Sequence, residues 1–349
     1  MKKITCIVGT RPQLIKHAVL LPELEMYFDV CSINTHQHYD SELNTLVQET
    51  LYKKDPFITI PLKKNLDNAE RLGEMIVAIS RQLKVQKPDA VLVYGDTDST
   101  LAGALAAHKN TLTLIHIEAG ERSYNLNMPE ENNRIITDLF SSILFCSSEQ
   151  AQKNLSGYLH QKKIFCYGDL MKDLAQKTTL SLSKTLIDPP YYFCTIHRNY
   201  NQTDPKKIKW LLEIIQQTGI KTIFPLHPFT KINLEQAEIR LDKYPFIKFL
   251  PPISYSQSIH YQKFAEAIIT DSGGIQKEAY WLKRPCITIR KETEWTDTLE
   301  GGWNQLLYED LSQLPALLKK TPDKSLYRNE LYGDGNASGN IALKLASLI

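Results

Sequence analysis

Three carboxylates in the first half of the sequence stand where general acid–base chemistry could use them. Asp96 follows Tyr94-Gly95, Glu118 precedes Ala119-Gly120, and Glu130 lies in Pro129-Glu130-Glu131-Asn132-Asn133-Arg134. Each follows an apolar run or opens a segment of helical period, so convergence on one place is expected. Carboxylates held together raise one another's pKa, which lets one act as an acid and another as a base near neutral pH. Plainer readings stand beside this one: Asp96 and Glu130 as residues favoured at helix amino termini, and Glu118 as an ion-pair partner.

The second half offers groups suited to a phosphate. His197-Arg198 and His227-Pro228 end consecutive apolar runs, and imidazole with guanidinium there suits a pyrophosphate whose charge grows as it leaves. Asp271-Ser272-Gly273-Gly274-Ile275-Gln276-Lys277-Glu278 follows another run directly and opens a helical segment. Two glycines at a helix amino terminus leave backbone N–H groups for a phosphate, and Ser272 adds a hydroxyl. Glu278, one turn further in, could accept from a ribose diol. The plainer reading is an ordinary strand-to-helix turn. No G-x-G-x-x-G follows any of the apolar runs, which argues against a redox dinucleotide, and the histidines lack H-x-x-x-H or matching carboxylate spacing, which argues against a metal.

The elements that must carry these residues are short apolar runs alternating with segments of helical period. Ile4–Val8, Ala90–Tyr94, Leu112–Ile117, Ile143–Cys146 and Ile164–Tyr167 fill the first half, and Tyr191–Thr195, Thr222–Leu226, Ile247–Leu250, Ala267–Thr270 and Cys286–Ile289 the second. Continuous apolar runs with helices between them read as buried parallel strands. In open parallel sheets ligands bind beyond the carboxyl ends of the strands, and the polar residues singled out above all lie there. Both halves are thus expected to aim polar groups at one cleft. A Ser, Thr and Leu-rich stretch from Thr178 ends in Asp188-Pro189-Pro190 and marks a hinge near residue 180, and Gly339–Ile349 reads as a short amphipathic helix.

Composition narrows the class. At 349 residues two domains are the natural expectation, and 42% hydrophobic with 23% charged residues describes a globular chain. The 41 Lys and Arg against 39 Asp and Glu leave a net charge of only +2, which gives no electrostatic case for nucleic acid. Six scattered cysteines without a C-x-x-C pair read as small hydrophobes in a reducing compartment. No run approaches a membrane span, and the amino terminus lacks the core of a signal peptide, so a cytoplasmic location is expected.

Taken in order, Gly9-Thr10-Arg11-Pro12, Gln37-His38, Gly95-Asp96-Thr97, His116-Ile117-Glu118-Ala119-Gly120, Pro129-Glu130-Glu131 with Asn133-Arg134, His197-Arg198 and Asp271-Ser272-Gly273-Gly274-Ile275-Gln276 resemble the non-hydrolysing UDP-N-acetylglucosamine 2-epimerase family nearly end to end. Each motif alone is weak; the ordered set is specific. The resemblance implies an α/β fold of two Rossmann-like domains facing across a cleft, the GT-B architecture. It implies a first domain over 1–177, a UDP-binding domain over 178–335 and a helix over 336–349 returning to the first. It further implies an isomerase acting on a UDP-sugar without metal or cofactor, as a homodimer. By position, Asp96, Glu118 and Glu130 correspond to the catalytic carboxylates and His197 to a further essential residue. Arg11, Lys16, Arg134, His227, Ser272, Gly273, Gly274 and Glu278 correspond to the substrate and nucleotide contacts.

That resemblance also suggests a mechanism. The C2 proton of a 2-acetamido sugar is not next to a carbonyl, so simple deprotonation is steeply uphill. Eliminating UDP from C1 as the proton leaves C2 gives a glycal, to which UDP re-adds while a proton arrives on the opposite face. The chain departs from the best-known members at three places: Gln37-His38-Tyr39-Asp40, Asn199-Tyr200 after His197-Arg198, and Thr293-Glu294-Trp295-Thr296-Asp297. The first two lack the arginine of the activating UDP-N-acetylglucosamine site. The Gln-His-Tyr-Asp, Asn-x-x-Met-Pro-Glu-Glu and Thr-Glu-Trp forms are closer to a subfamily that includes epimerases of UDP-2,3-diacetamido-glucuronic acid. A glycosyltransferase of the same architecture and a hydrolysing epimerase are the rival readings.

Overall fold

The computed structural model describes residues 1–37, 52, 55–63, 66–157, 159, 161–226 and 228–349, without the side chains of Asn199 and Pro228. Its contacts divide into two units, Met1–Leu174 with Glu330–Ile349 and Ala175–Asn329. The divisions expected after residues 177 and 335 fall three and six residues further along the chain.

The first unit runs β1 (Lys3–Val8), α1 (Arg11–Glu25), β2 (Asp29–Asn34), β3 (Phe57–Thr59), α2 (Asn68–Gln86), β4 (Ala90–Tyr94), α3 (Asp98–Lys109), β5 (Thr113–Ile117), α4 (Pro129–Phe140), β6 (Ile143–Cys146), α5 (Glu149–Ser156) and β7 (Lys163–Cys166), and α6 (Leu170–Leu180) begins within it. Its seven strands pair in the order β3-β2-β1-β4-β5-β6-β7, each pair parallel. The central strands are apolar and buried on both faces: Ala90 to Tyr94 lies wholly out of water between α1, α3 and their neighbours. Each Val or Leu so buried contributes about 1.5–3 kcal/mol, so the strands that carry the polar loops are also the best anchored.

The second unit runs β8 (Tyr191–Thr195), α7 (Asn199–Gln202), α8 (Pro205–Gln217), β9 (Lys221–Pro225), α9 (Pro228–Gln236), β10 (Ile247–Leu250), α10 (Tyr255–Phe264), β11 (Ala267–Thr270), α11 (Gly273–Trp281), β12 (Cys286–Thr288), β13 (Asn304–Leu306) and α12 (Leu314–Leu318). Its six parallel strands follow the order β10-β9-β8-β11-β12-β13. Asp204 accepts from Lys207 N at 3.0 Å with Pro205 in the first turn, so α8 starts as the Asp-Pro pair dictates.

A final helix, α13 (Ala337–Leu348), belongs to the first unit and packs on α1. Its amino end is fixed by a buried carboxylate. Asp173 accepts from the Ala337 and Ser338 amides at 3.0 and 2.8 Å and from the Ser338 hydroxyl at 2.8 Å. All six cysteines are free thiols, and Cys6, Cys146, Cys194 and Cys286 are buried. Among the described residues no helix is long and apolar enough to cross a membrane.

Candidate active site

In each sheet the strand order reverses once, between β1 and β4 and between β8 and β11. Adjacent loops leave in opposite directions at such a point and open a crevice at the carboxyl ends of the strands. Of the polar residues read from the sequence, Arg11, Asp96, Glu118, His197 and Ser272 lie just beyond the carboxyl ends of β1, β4, β5, β8 and β11.

In the first unit Gln13 ties the two central loops together. Its Oε1 accepts from Gly9 N at 2.8 Å and Thr10 N at 3.2 Å, and its Nε2 donates to the Tyr94 carbonyl at 2.7 Å and the Thr97 hydroxyl at 2.8 Å. The Thr10-x-x-Gln13 spacing at the start of a helix is the sequence signal for this residue. Thr97, not Asp96, caps α3, and its hydroxyl accepts from Thr100 N at 3.3 Å. Asp96 is therefore left to pair with Arg134, whose Nη2 lies 2.5 Å from Asp96 Oδ2 while its Nη1 reaches Glu131 Oε2 at 2.6 Å. Asn133 donates to the Asp96 carbonyl at 3.0 Å and to Asp98 at 3.2 Å, which fixes the same loop.

Glu118 forms an ion pair with Lys16, the partner role its plainer reading anticipates. It also sits at φ +66°, a left-handed conformation that a glutamate adopts at a cost of about 1–2 kcal/mol. Gly95 makes room for it. Gly95 has φ +61°, and a Cβ there would lie 3.2 Å from Glu118 Oε2. Beneath them His116, fully buried, bridges Asp138 Oδ1 at 2.8 Å and the Gly95 carbonyl at 2.7 Å. Arg122 reaches Asp138 Oδ2 at 2.6 Å. Its Nη1 also donates to the Glu121 carbonyl at 2.7 Å, so Arg122 ties its own loop to α4.

Glu130 and Glu131 share the first turn of α4 but differ in kind. Glu131 is buried and accepts from Ser123 N at 2.9 Å, Tyr124 N at 3.1 Å and Arg134. Glu130 is partly exposed, and its side chain has no hydrogen bond or ion pair among the described residues. It lies one turn before Arg134 on the same helix face. Asp96 and Glu118 thus each have a cation in contact, and the Glu130 side chain has none among the described residues. Lys16 and Arg134, expected as substrate contacts, are those cations. Arg11 opens α1 and is partly exposed.

In the second unit Asp271, fully buried after β11, organises the end of β8. It accepts from His197 N at 3.0 Å, Arg198 N at 2.9 Å and Asn201 Nδ2 at 2.9 Å, and His197 Nδ1 lies 3.4 Å from it. Ser272 caps α11, with its hydroxyl accepting from Ile275 N at 3.5 Å, and Gly273 and Gly274 form the first turn. Glu278 is buried and accepts from Gln262 Nε2 at 2.6 Å. Lys277 Nζ lies 3.6 Å from the centre of the Trp295 ring. Arg290 pairs with Glu294 at 2.8 Å, a residue pair that sequence reading passed over because no helix joins them. Burial pushes the Tyr200 phenol pKa up, opposed by the Arg290 and Arg198 charges beside it. His227, like His38, Tyr39 and Asp40, lies outside the described residues. Among the described residues no group of three or more His, Cys, Asp or Glu side chains could hold a metal ion.

Two parallel sheets, one followed by carboxylates at its central strands and the other by a capped Ser-Gly-Gly turn, define an α/β protein of two doubly wound units. A family model for UDP-N-acetylglucosamine 2-epimerase matches residues 23–346. A UDP-N-acetylglucosamine 2-epimerase homolog of Methanococcus maripaludis is 37% identical, covering 99% of this chain and 100% of the relative. The UDP-2,3-diacetamido-2,3-dideoxy-D-glucuronate 2-epimerase of Pseudomonas aeruginosa is 34% identical over 99% and 100%. The crystal structure of the Methanocaldococcus jannaschii UDP-GlcNAc 2-epimerase in complex with UDP-GlcNAc and UDP superposes with TM-score 0.89 at 34% identity, covering 99% of each chain. The chain belongs to the UDP-N-acetylglucosamine 2-epimerase family.

Proposed function

We propose that this protein inverts C2 of a UDP-linked 2-acetamido sugar, with the first unit carrying the proton transfers and the second holding the nucleotide. The observation that carries the reading is the carboxylate set of the first unit: Asp96 on Arg134, Glu118 on Lys16, and Glu130 with no cation in contact among the described residues. A carboxylate takes the C2 proton as the C1–O bond breaks and its electron pair leaves on the UDP oxygen, giving the C1=C2 glycal. UDP oxygen then re-attacks C1 while a second carboxyl group, protonated at the start of the step, gives its proton to C2 from the other face and is left as the carboxylate. Acid and base groups on both faces are what this sequence of steps requires, and a glycosyl transfer requires only one base. His197, His227, Arg11 and the Ser272-Gly273-Gly274 turn stabilise the departing diphosphate, and Glu278 takes the ribose. No metal or cofactor enters any step.

The substrate class is UDP-2-acetamido sugars of the N-acetylglucosamine type. The 34% identity to the P. aeruginosa diacetamido-glucuronate epimerase, with Trp295 in the Thr-Glu-Trp form, favours a second reading in which the sugar is a 2,3-diacetamido uronate. We further propose a homodimer acting in the cytoplasm, in keeping with six free thiols. Proton NMR of each UDP-sugar with the protein in D2O tests the function. The 2-epimer with deuterium at C2 is expected. Unchanged configuration without exchange refutes epimerisation, and free sugar with UDP marks a hydrolysing enzyme.

A further inference from the structure

We propose that Arg290 is a diphosphate-binding residue, its Nη1 donating to the phosphate seated at the amino end of α11. The inference rests on the reading that the second unit holds the nucleotide there. Arg290 follows β12 and is only 2% exposed. One side of its guanidinium is committed, with Nη2 2.8 Å from Glu294 Oε2. The other side is not: Nη1 is buried and has no hydrogen-bond partner among the described residues. That nitrogen lies 3.9 Å from where a Cβ on Gly273 would stand, so it edges the first turn of α11.

Two independent features therefore point at one spot. The first N–H groups of a helix have no partner within it, and the helix dipole favours an anion there. A buried cationic donor left unmet is costly, whereas a phosphate oxygen would satisfy it with a charge-assisted bond. Glu294 explains why the donor is aimed: gripping one edge of a rigid planar fork fixes the direction of the other. A second guanidinium supports the same chemistry. Arg198 follows β8, its buried Nε also lacks a partner among the described residues, and Tyr200 lies beside both arginines. During elimination the leaving oxygen gains negative charge, so a donor already in place stabilises the transition state more than the bound substrate.

The experiment compares UDP with uridine, which lacks the phosphates, by titration followed by NMR, on wild type, Arg290→Gln, Arg290→Lys and Glu294→Gln. Arg290→Gln is expected to weaken UDP about ten- to a hundredfold, the range of a hydrogen bond to a charged group, with uridine affinity unchanged. Arg290→Lys keeps the charge, loses the fork and falls between. Glu294→Gln keeps an amide oxygen to accept from Nη2, so Nη1 stays aimed while the counter-charge is removed, and UDP binds at least as tightly as to wild type. Equal UDP affinity in wild type and the folded Arg290 variants overturns the inference. So does an equal loss of UDP and uridine, or a parallel loss of UDP in Glu294→Gln, which would mark the pair as structural only. If Arg290→Gln does not fold, Arg290→Lys and Glu294→Gln decide. A wild type that does not bind UDP at all refutes instead the nucleotide site on which the inference rests.

Discussion

Glu118→Gln separates what the Lys16 pair does for folding from what the carboxylate does for turnover. The glutamine keeps the shape and an acceptor but removes the charge, leaving Lys16 without its counter-ion where the two side chains are only 11% and 14% exposed. Breaking a fully buried pair costs about 3–5 kcal/mol. Residual solvent access and the retained amide acceptor reduce this to about 2 kcal/mol, or about 4–8 °C in Tm for a unit of this size. Lys16→Met loses a similar amount, and the Lys16→Met/Glu118→Gln double variant recovers most of it, a coupling of about 2 kcal/mol. Glu130→Gln changes stability by less than about 0.5 kcal/mol, because no described partner is lost. Turnover behaves differently. Glu118→Gln and Glu130→Gln each fall by at least about a hundredfold, and the double variant is not rescued. Urea unfolding followed by circular dichroism reads the first set, and C2 deuterium exchange reads the second. Glu130→Gln as unstable as Glu118→Gln, strictly additive stability losses, or a Glu118→Gln enzyme with wild-type turnover would each refute the reasoning.

Three further outcomes are expected. His17 is fully buried between the Tyr94 and Ser32 hydroxyls, and burial pushes its pKa down to about 3. The unfolded chain takes up that proton near pH 6.5 and the folded one does not, so stability is lost as pH falls from about 6.5 toward 3, by up to about 1.4 kcal/mol per pH unit. His17→Asn should remove that share of the slope, and parallel stability–pH curves would refute the assignment. Gly95→Ala puts a Cβ 3.2 Å from Glu118 Oε2 at φ +61°, which costs about 1–2 kcal/mol and displaces the carboxylate. A rate within twofold of wild type would show that Glu118 tolerates the shift. UDP should raise Tm, by about 2.7 kcal/mol of stabilisation at a hundred times its Kd, and EDTA should change neither Tm nor rate. A chelator-sensitive rate would bring a metal into the mechanism.

The central strands were readable because burial on both faces leaves an unbroken apolar run, as in Ala90–Tyr94 and Tyr191–Thr195. β2, β3 and β13 were not. β2 reads Asp-Val-Cys-Ser-Ile-Asn because Ser32 and Asn34 are buried as hydrogen-bond partners, of His17 and of the His36 amide. β3 and β13 are three residues each, and β13 carries Asn304 and Gln305 in place of an apolar run. At the site the residue types were readable from their place after each strand. The pairings were not, since Lys16 and Glu118 lie 102 positions apart and Arg134 and Asp96 lie 38 apart. No local spacing encodes a partner brought in by the sheet order. Asp271 shows the same limit: the run it opens was read for its Ser-Gly-Gly turn, and nothing local shows that its own oxygens are taken by the β8 loop.

The placement of α13 bears on how the protein is made. Glu330–Ile349 completes the first unit, so that unit is assembled from two stretches of chain with all of Ala175–Asn329 between them. During synthesis the second sheet has every strand available before the segment that covers α1 leaves the ribosome. The carboxylate-bearing unit, though begun first, must wait with Asp173 lacking the helix end it caps. A chain with residues up to 329 clear of the ribosome would thus have every strand of the second unit in hand while the first unit still lacked its last helix.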